Sequence, residues 1–240
     1  MGVEVNRMEQ TLKITNVLSD PTRFYIYQYI TKRHKEVTVQ EVADNFSIHP
    51  NVARLHLSKL EDVNMLVSET KKTGKGGRPS RLYRLSDDVI QLHFPYRDYM
   101  LLSKVAIQTM ISLGEEGKKA LFLTGKQFGA EIIDQEMAKS SISENELSFE
   151  QKLSILQNAA TCAGFYPEFE VNDDHTKVYF QIFNCPFKEV AQESQDTVCI
   201  MHQEFLKGMF EALFGSIELI EKANMFSGCD SCSYQALIAK

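Results

Sequence analysis

The chain has 240 residues, 43% of them hydrophobic and 24% charged, with a net charge of −6. That balance fits a globular protein of one large or two modest domains, and it excludes disordered and fibrous classes as well as a protein that coats nucleic acid indiscriminately. The charge is unevenly placed, +3 over residues 1–98 and −9 over residues 99–240, so the two halves face different partners.

The opening stretch "MGVEVNRMEQTLKITNVL" interrupts every apolar run with acidic or polar residues, which leaves no secretory core and no membrane span. The Met-Gly start lacks the Ser or Thr of a myristoylation signal, because Asn6 stands in its place. These features predict a cytoplasmic protein with no membrane partner.

A first helix is predicted over 7–18, with apolar residues at Met8, Leu12, Ile14, Val17 and Leu18. "SDPTR" starts a second, 21–33, with Asp20 as N-cap and Pro21 at the first helical position. Thr38 and Glu41 form a capping box for a third helix, and "SIHPN" turns the chain into a fourth, 50–63, opened by Pro50. Two short helices across a tight turn are a helix-turn-helix, whose second member enters a major groove. On that helix Ala53, Leu57 and Leu60 follow core spacing, while Asn51, Arg54, Leu55 and Ser58 share the outer side with Lys59 close by; these are the candidate DNA readers.

The next segment, "VSETKKTGKGGRPSRLYRL", alternates strand-like residues around a glycine-rich tip, and residues 71–84 hold six cations and no anion. A basic hairpin directly after a helix-turn-helix is a wing. Lys71, Lys72, Lys75, Arg78 and Arg81 are its candidate DNA contacts, with Arg78 placed to enter a minor groove. A phosphate-binding loop is excluded, since no Gly-Lys-Ser/Thr follows and no helix starts there.

"LSDPTRFYIYQYI", "VQEVADNF", "NVARLHLSKL" and "GRPSRLYRLS", in this order and spacing, resemble the ArsR-like winged helix-turn-helix repressors over roughly residues 10–88. The resemblance implies a transcription regulator that binds double-stranded operator DNA. Metal sensors of that family often carry cysteines in the DNA-reading domain; here none precedes residue 162, so any sensing falls to the second half.

Residues 97–139 read as two long helices broken at "SLGEEG" and apolar on more than one face, which predicts a homodimer interface. A further helix is predicted over 149–163, with Ser148 and Gln151 as its capping box and Gly164 as its stop. From 167 onward a β-hairpin, a short helix from Pro186, a longer helix over 197–215 and two strands at 216–225 and 232–239 are expected. The whole is an α+β chain: a winged helix-turn-helix DNA-binding domain over 1–96, a helical dimerisation region over 97–164, and a small α+β sensing domain over 165–240.

The five cysteines are an odd count, crowded into the last third of the chain. Cys185, Cys199, Cys229 and Cys232 fall at element ends, where side chains converge, and the first turn of a helix is expected to lower the thiolate pKa of Cys199. Cys162, among small apolar neighbours, is expected to be a buried thiol. A thioredoxin-like dithiol, the alternative that would make this a redox enzyme using Cys229 and Cys232, requires its C-x-x-C at the start of a helix, and here a strand follows. A four-cysteine zinc site and an iron-sulfur cluster both suit the spacing. No catalytic constellation stands out, so the chain reads as a non-enzyme.

"NCPFKEVAQ", "VCIMHQEFLKGMFEALFG" and "GCDSCSYQALI" are similar to the C-terminal region of the iron-sulfur-binding repressors of cluster-assembly genes, over about residues 180–240. That resemblance maps Cys185, Cys199 and Cys232 onto the family's ligand pattern and favours a cluster over zinc. The family's intermediate cysteine is absent and Cys229 is extra. The fourth ligand is therefore assigned to Cys229, with His202 in reserve.

Overall fold

The computed structural model describes residues 2–71, 80–139 and 147–239, with side chains from residue 8 onward. The chain divides into two compact units, Met1–Arg97 and Asp98–Lys240. Residues 97–164 and 165–240, expected as separate regions, thus lie almost entirely in one unit.

In the first unit, α1 (Gly2–Leu18) and α2 (Pro21–Arg33) are joined by the Asp20 cap, whose side chain accepts from the Arg23 amide. A two-residue strand β1 (Val37–Thr38) leads into α3 (Val39–Phe46), where the Thr38–Glu41 capping box is formed in both directions. Ser47, in the left-handed region at φ 52°, turns the chain toward α4 (Pro50–Glu61). Strands β2 (Leu66–Lys71) and β3 (Ser80–Leu85) pair antiparallel, and β1 adds to β3, giving the order β1-β3-β2. Ile14, Ile26, Ile30, Val42, Ala53, Leu57, Leu60, Leu66 and Tyr83 form the core, so burying the apolar stripes is what fixes the helices on the sheet.

In the second unit, α5 (Tyr99–Ser112) and α6 (Glu115–Met137) are separated at Leu113–Gly114. α7 (Phe149–Cys162) starts from the Ser148–Gln151 capping box. A sheet of order β4-β5-β7-β6 follows, built from β4 (Pro167–Val171), β5 (Lys177–Ile182), β6 (Ile217–Ala223) and β7 (Cys232–Ile238), all neighbours antiparallel. Alternation along β5 buries Val178, Phe180 and Ile182 and exposes the residues between them, so one face is covered by helices. Between β5 and β6 lies α8 (Lys188–Phe214), interrupted by non-helical Ser194. The break at Ser194 divides it into the expected short helix and a longer one. Phe180 stacks between Phe210 of α8 and Tyr234 of β7, at centroid distances of 5.1 and 5.2 Å. No helix among the described residues is long and apolar enough to cross a membrane.

Candidate functional site

The helix-turn-helix is formed by α3 and α4. His49 caps α4, its Nδ1 accepting from the Asn51 amide at 3.2 Å, and Pro50 occupies the first turn. Ala53, Leu57 and Leu60 are fully buried, which turns Asn51, Arg54, Leu55 and Lys59 to solvent and leaves Ser58 half-buried. Arg54 Nη1 donates to Asn51 Oδ1 at 3.2 Å, one helical turn back, so the two candidate base readers are held side by side. His56, on the inner side of α4, is buried; burial holds its pKa below the usual histidine value, Asp20 opposing and Arg23 adding to the effect.

Of the hairpin cations, Lys71 Nζ donates to both oxygens of Glu36, at 3.0 and 2.8 Å, and that hydrogen bond raises its pKa. Arg81 donates to Glu61, the last residue of α4, through Nη2 at 2.9 and 2.7 Å. Lys72, Lys75 and Arg78 lie outside the described residues.

Three of the five cysteines, Cys185, Cys199 and Cys232, are at least half-buried in the second unit. Cys232 opens β7 opposite Ile182, and strand alternation puts it with Tyr234 and Ala236 on the covered face of the sheet. Its sulfur accepts from the Met225 amide at 3.4 Å. Cys185, three residues beyond β5, is buried, and its sulfur lies 3.9 Å from Nδ1 of His202 on α8. Cys199 is half-buried on the same helix. The three thiols share one electrostatic neighbourhood: Cys232 and Cys199 both act on Cys185, and Cys232 acts on Cys199. Cys229 is exposed, in the loop between the 3-10 turn Met225–Ser227 and β7, and acts on Cys232.

Burial dominates at these thiols. It pushes the Cys185 thiol up to about 12 and raises Cys232 and Cys199 as well, with neighbouring thiols and Glu221 adding to the effect. Cys199 thus runs opposite to the expected lowering. It lies five residues beyond the Ser194 kink, past the first turn of the restarted helix, and desolvation outweighs what remains of the dipole. His202 is pushed down to about 4 by burial, its ring is stacked on Phe165 at 5.0 Å, and its Nε2 is buried without a partner. Among the described residues no three His, Cys, Asp or Glu side chains stand in metal-binding arrangement.

Cys162, expected to be buried, is exposed at the end of α7, while Ala159 and Ala160 take the buried positions. Three residues with no sequence signal, Asn224, Glu221 and Gln203, form a hydrogen-bonded group beside Cys199. Asn224 Nδ2 donates toward Cys199 Sγ at 4.0 Å and to Glu221 Oε2 at 3.2 Å, and Gln203 Nε2 donates to the same carboxylate at 2.8 Å. No metal-ligand spacing pointed to Glu221; it comes near Cys199 and Cys232 because β6 pairs beside β7.

Residues 18–69 match a family described as a helix-turn-helix domain, a stretch that spans α2, α3, α4 and the start of β2. The match and the exposed α4 face give the first unit a helix-turn-helix domain, which suggests a DNA-binding transcription regulator. No curated protein matches the chain. Among solved structures it is similar to a trafficking protein particle complex subunit 3 from Naegleria fowleri, covalently bound to palmitic acid, at 17% identity and TM-score 0.42 over 59% of this chain and 97% of that one. It is also similar to the phenol-responsive sensory domain of the transcription activator PoxR with phenol, at 16% identity and TM-score 0.43 over 77% of this chain and 89% of that one. At these scores neither likeness bears on what this chain binds.

Proposed function

We propose that the protein is a homodimeric winged-helix repressor whose operator binding responds to an iron-sulfur cluster, or alternatively zinc, held by Cys185, Cys199 and Cys232 with Cys229 or His202. The observation that carries the reading is a pairing of features in one chain: an exposed α4 face beside a cationic hairpin, and three thiols at least half-buried in a second unit, Cys185 among them 3.9 Å from His202. Repression and the preference for a cluster rest on the family resemblance of the sequence.

The donor set suits the group. Thiols with raised pKa are neutral at physiological pH, and a soft metal centre displaces their protons on binding, which makes loading pH-dependent. Glu221 beside Cys199 and Cys232 adds negative charge that a cationic centre offsets. A cluster, when bound, supplies a redox-sensitive change of charge at this point. The chain's own part is to gather thiols from the end of β5, from α8 and from the start of β7, so that ligation ties these elements together.

Dimerisation is supported by α5, where no residue is buried and Tyr99, Leu101, Leu102 and Val105 are exposed on one unit's surface. A symmetric dimer presents two recognition helices to a near-palindromic site about one DNA turn apart. A redox enzyme built on Cys229 and Cys232 is disfavoured physically, since no helix begins after Cys229 and burial raises rather than lowers Cys232.

Anaerobic purification followed by a visible spectrum and iron, sulfide and zinc analysis tests the sensing half. Selection of duplexes from a randomised DNA pool, with loaded and unloaded protein compared, tests the other. A protein that carries neither metal nor cluster, and binds the same DNA with the same affinity after reconstitution, would overturn the proposal.

A further inference from the structure

The sequence pattern names Arg81 with Lys71, Lys72, Lys75 and Arg78 as a DNA contact of the hairpin. The side chains separate one of them. Arg81 Nη2 donates to both carboxylate oxygens of Glu61, Arg81 Nε donates to Ser68 Oγ at 2.7 Å, and Ser68 Oγ donates to Glu61 Oε1 at 2.7 Å. The three residues close a ring of hydrogen bonds across three elements: the last residue of α4, the middle of β2 and the start of β3. The register pairs Ser68 with Tyr83 and Thr70 with Arg81, so Ser68 and Arg81 are diagonal neighbours on one face of the hairpin. The guanidinium also lies over the Tyr83 ring, 5.3 Å from its centroid, and Tyr83 is fully buried. From the opposite face of the hairpin, three residues beyond Ser68 along β2, Lys71 is tied to Glu36.

A guanidinium that grips a carboxylate with Nη2 and a hydroxyl with Nε offers a phosphate little free fork and, as a pair, no net charge. Such a pair releases few counterions when DNA binds. What it fixes instead is the angle between the recognition helix and the hairpin, because its two ends belong to those two elements. We propose that Arg81, with Glu61 and Ser68, is a positioning residue for DNA recognition: it sets the hairpin against α4 and does not itself contact the phosphate backbone. This rests on the DNA-binding reading.

The test exploits opposite signs. Removing an anion from a DNA-facing surface strengthens binding if only charge matters, whereas removing one end of a brace weakens it. Binding to a duplex selected by the parent protein from a randomised pool is measured across salt for Glu61→Gln, Arg81→Lys, Arg81→Ala, Arg81→Glu, Ser68→Ala and the swap Arg81→Glu with Glu61→Arg, each first checked for folding by thermal unfolding. The expected result is an affinity about tenfold lower for Glu61→Gln and for Arg81→Lys with the salt slope of the parent, a smaller loss for Ser68→Ala, and partial recovery in the swap relative to Arg81→Glu alone. Unchanged or tighter binding by Glu61→Gln, near-parent binding by Arg81→Lys, and a slope reduced by about one in Arg81→Ala would make Arg81 a phosphate contact and overturn the proposal. Should the swap or Glu61→Gln fail to fold, Arg81→Lys and Ser68→Ala decide by the same two readouts. Failure of the parent to select any duplex is a different outcome: it removes the DNA-binding reading, and the positioning role with it.

Discussion

A Cβ placed on Gly129 would stand 1.9 Å from the carbonyl oxygen of Phe205. The contact is between backbones, so no side-chain rotation relieves it. Gly208 returns the relationship, its Cβ meeting the Lys126 carbonyl oxygen at 2.0 Å, and together the two glycines let α6 and α8 cross at close range. Because α8 also carries Cys199 and His202, the crossing sets where those side chains stand. Gly129→Ala is expected to destabilise the second unit by about 3 kcal/mol, at the upper end of ordinary overpacking. Gly125→Ala should cost less, since its neighbours include the flexible end of Met201. Thermal unfolding of both variants checks this, and near-parent stability of Gly129→Ala would mean that the helices do not approach so closely.

Arg54 and Lys59 sit on the same exposed side of α4 but are expected to act differently. Arg54 is held against Asn51, a geometry suited to a base edge, and Arg54→Ala should weaken specific binding by roughly 1–3 kcal/mol and relax the preference at one position of the site. Lys59 pairs only loosely with Asp62, at 3.6 Å between exposed groups. Lys59→Ala should weaken all sequences alike and lower the salt slope by about one. Titrations of selected and scrambled duplexes at several salt concentrations separate the two behaviours; identical effects on both duplexes from both variants would count against α4 as the reading helix.

His56 gives the first unit a pH dependence. Its folded pKa is depressed by burial below 6.5, so at lower pH the unfolded chain binds a proton that the folded chain does not. Its contribution is therefore fully present above about pH 7 and declines as pH falls through 6.5 toward the folded value. Asp20, lowered mainly by its hydrogen bond to the Arg23 amide, adds a second decline only when pH falls below about 3.8. Unfolding of parent and His56→Leu across this range should give a difference that shrinks as the pH is lowered from neutrality. A difference independent of pH would show that His56 keeps its ordinary pKa.

Local chemistry was the most legible part of the sequence. The Asp20 cap, the Thr38–Glu41 and Ser148–Gln151 boxes and the Gly164 stop are set by residues within a turn of one another, and each was found where expected. What depended on distant partners was less so. The two-residue β1 exists because Val37 and Thr38 pair with Tyr83 and Leu82, which a local pattern does not reveal. The small neighbours of Cys162 suggest a buried face, whereas helical rotation gives that face to Ala159 and Ala160. Glu221 comes near Cys199 and Cys232 through the pairing of β6 with β7, and Asn224, just past the end of β6, follows it there. The hairpin charge was visible, but not that Glu61, at the end of the preceding helix, holds Arg81.

If Cys185, Cys199 and Cys232 hold a metal or cluster as proposed, their fourth ligand can be identified by pairing two substitutions with opposite expectations. His202 is 3% exposed, its Nε2 has no partner, and its ring lies nearly parallel to Phe165 with Phe187 edge-on. An orphaned buried donor or acceptor costs about 1–3 kcal/mol, while the stacking belongs to the ring and survives in a phenyl group. His202→Phe is therefore expected to stabilise the metal-free protein by about 1 kcal/mol, after part of the gain is lost to the larger ring. Loading then discriminates. If Nδ1, near Cys185 Sγ, supplies the fourth ligand, His202→Phe loses the iron or zinc of the anaerobically purified protein and Cys229→Ser retains it. If the exposed Cys229 supplies it, the two variants exchange outcomes, while Cys185→Ser, Cys199→Ser and Cys232→Ser lose the metal in either case and Cys162→Ser does not. Thermal unfolding and metal analysis of the six proteins give both readouts. Destabilisation of the metal-free His202→Phe would show that the imidazole makes a polar contact worth more than its burial costs, and parent metal content in Cys185→Ser, Cys199→Ser and Cys232→Ser would remove these thiols from the protein's function.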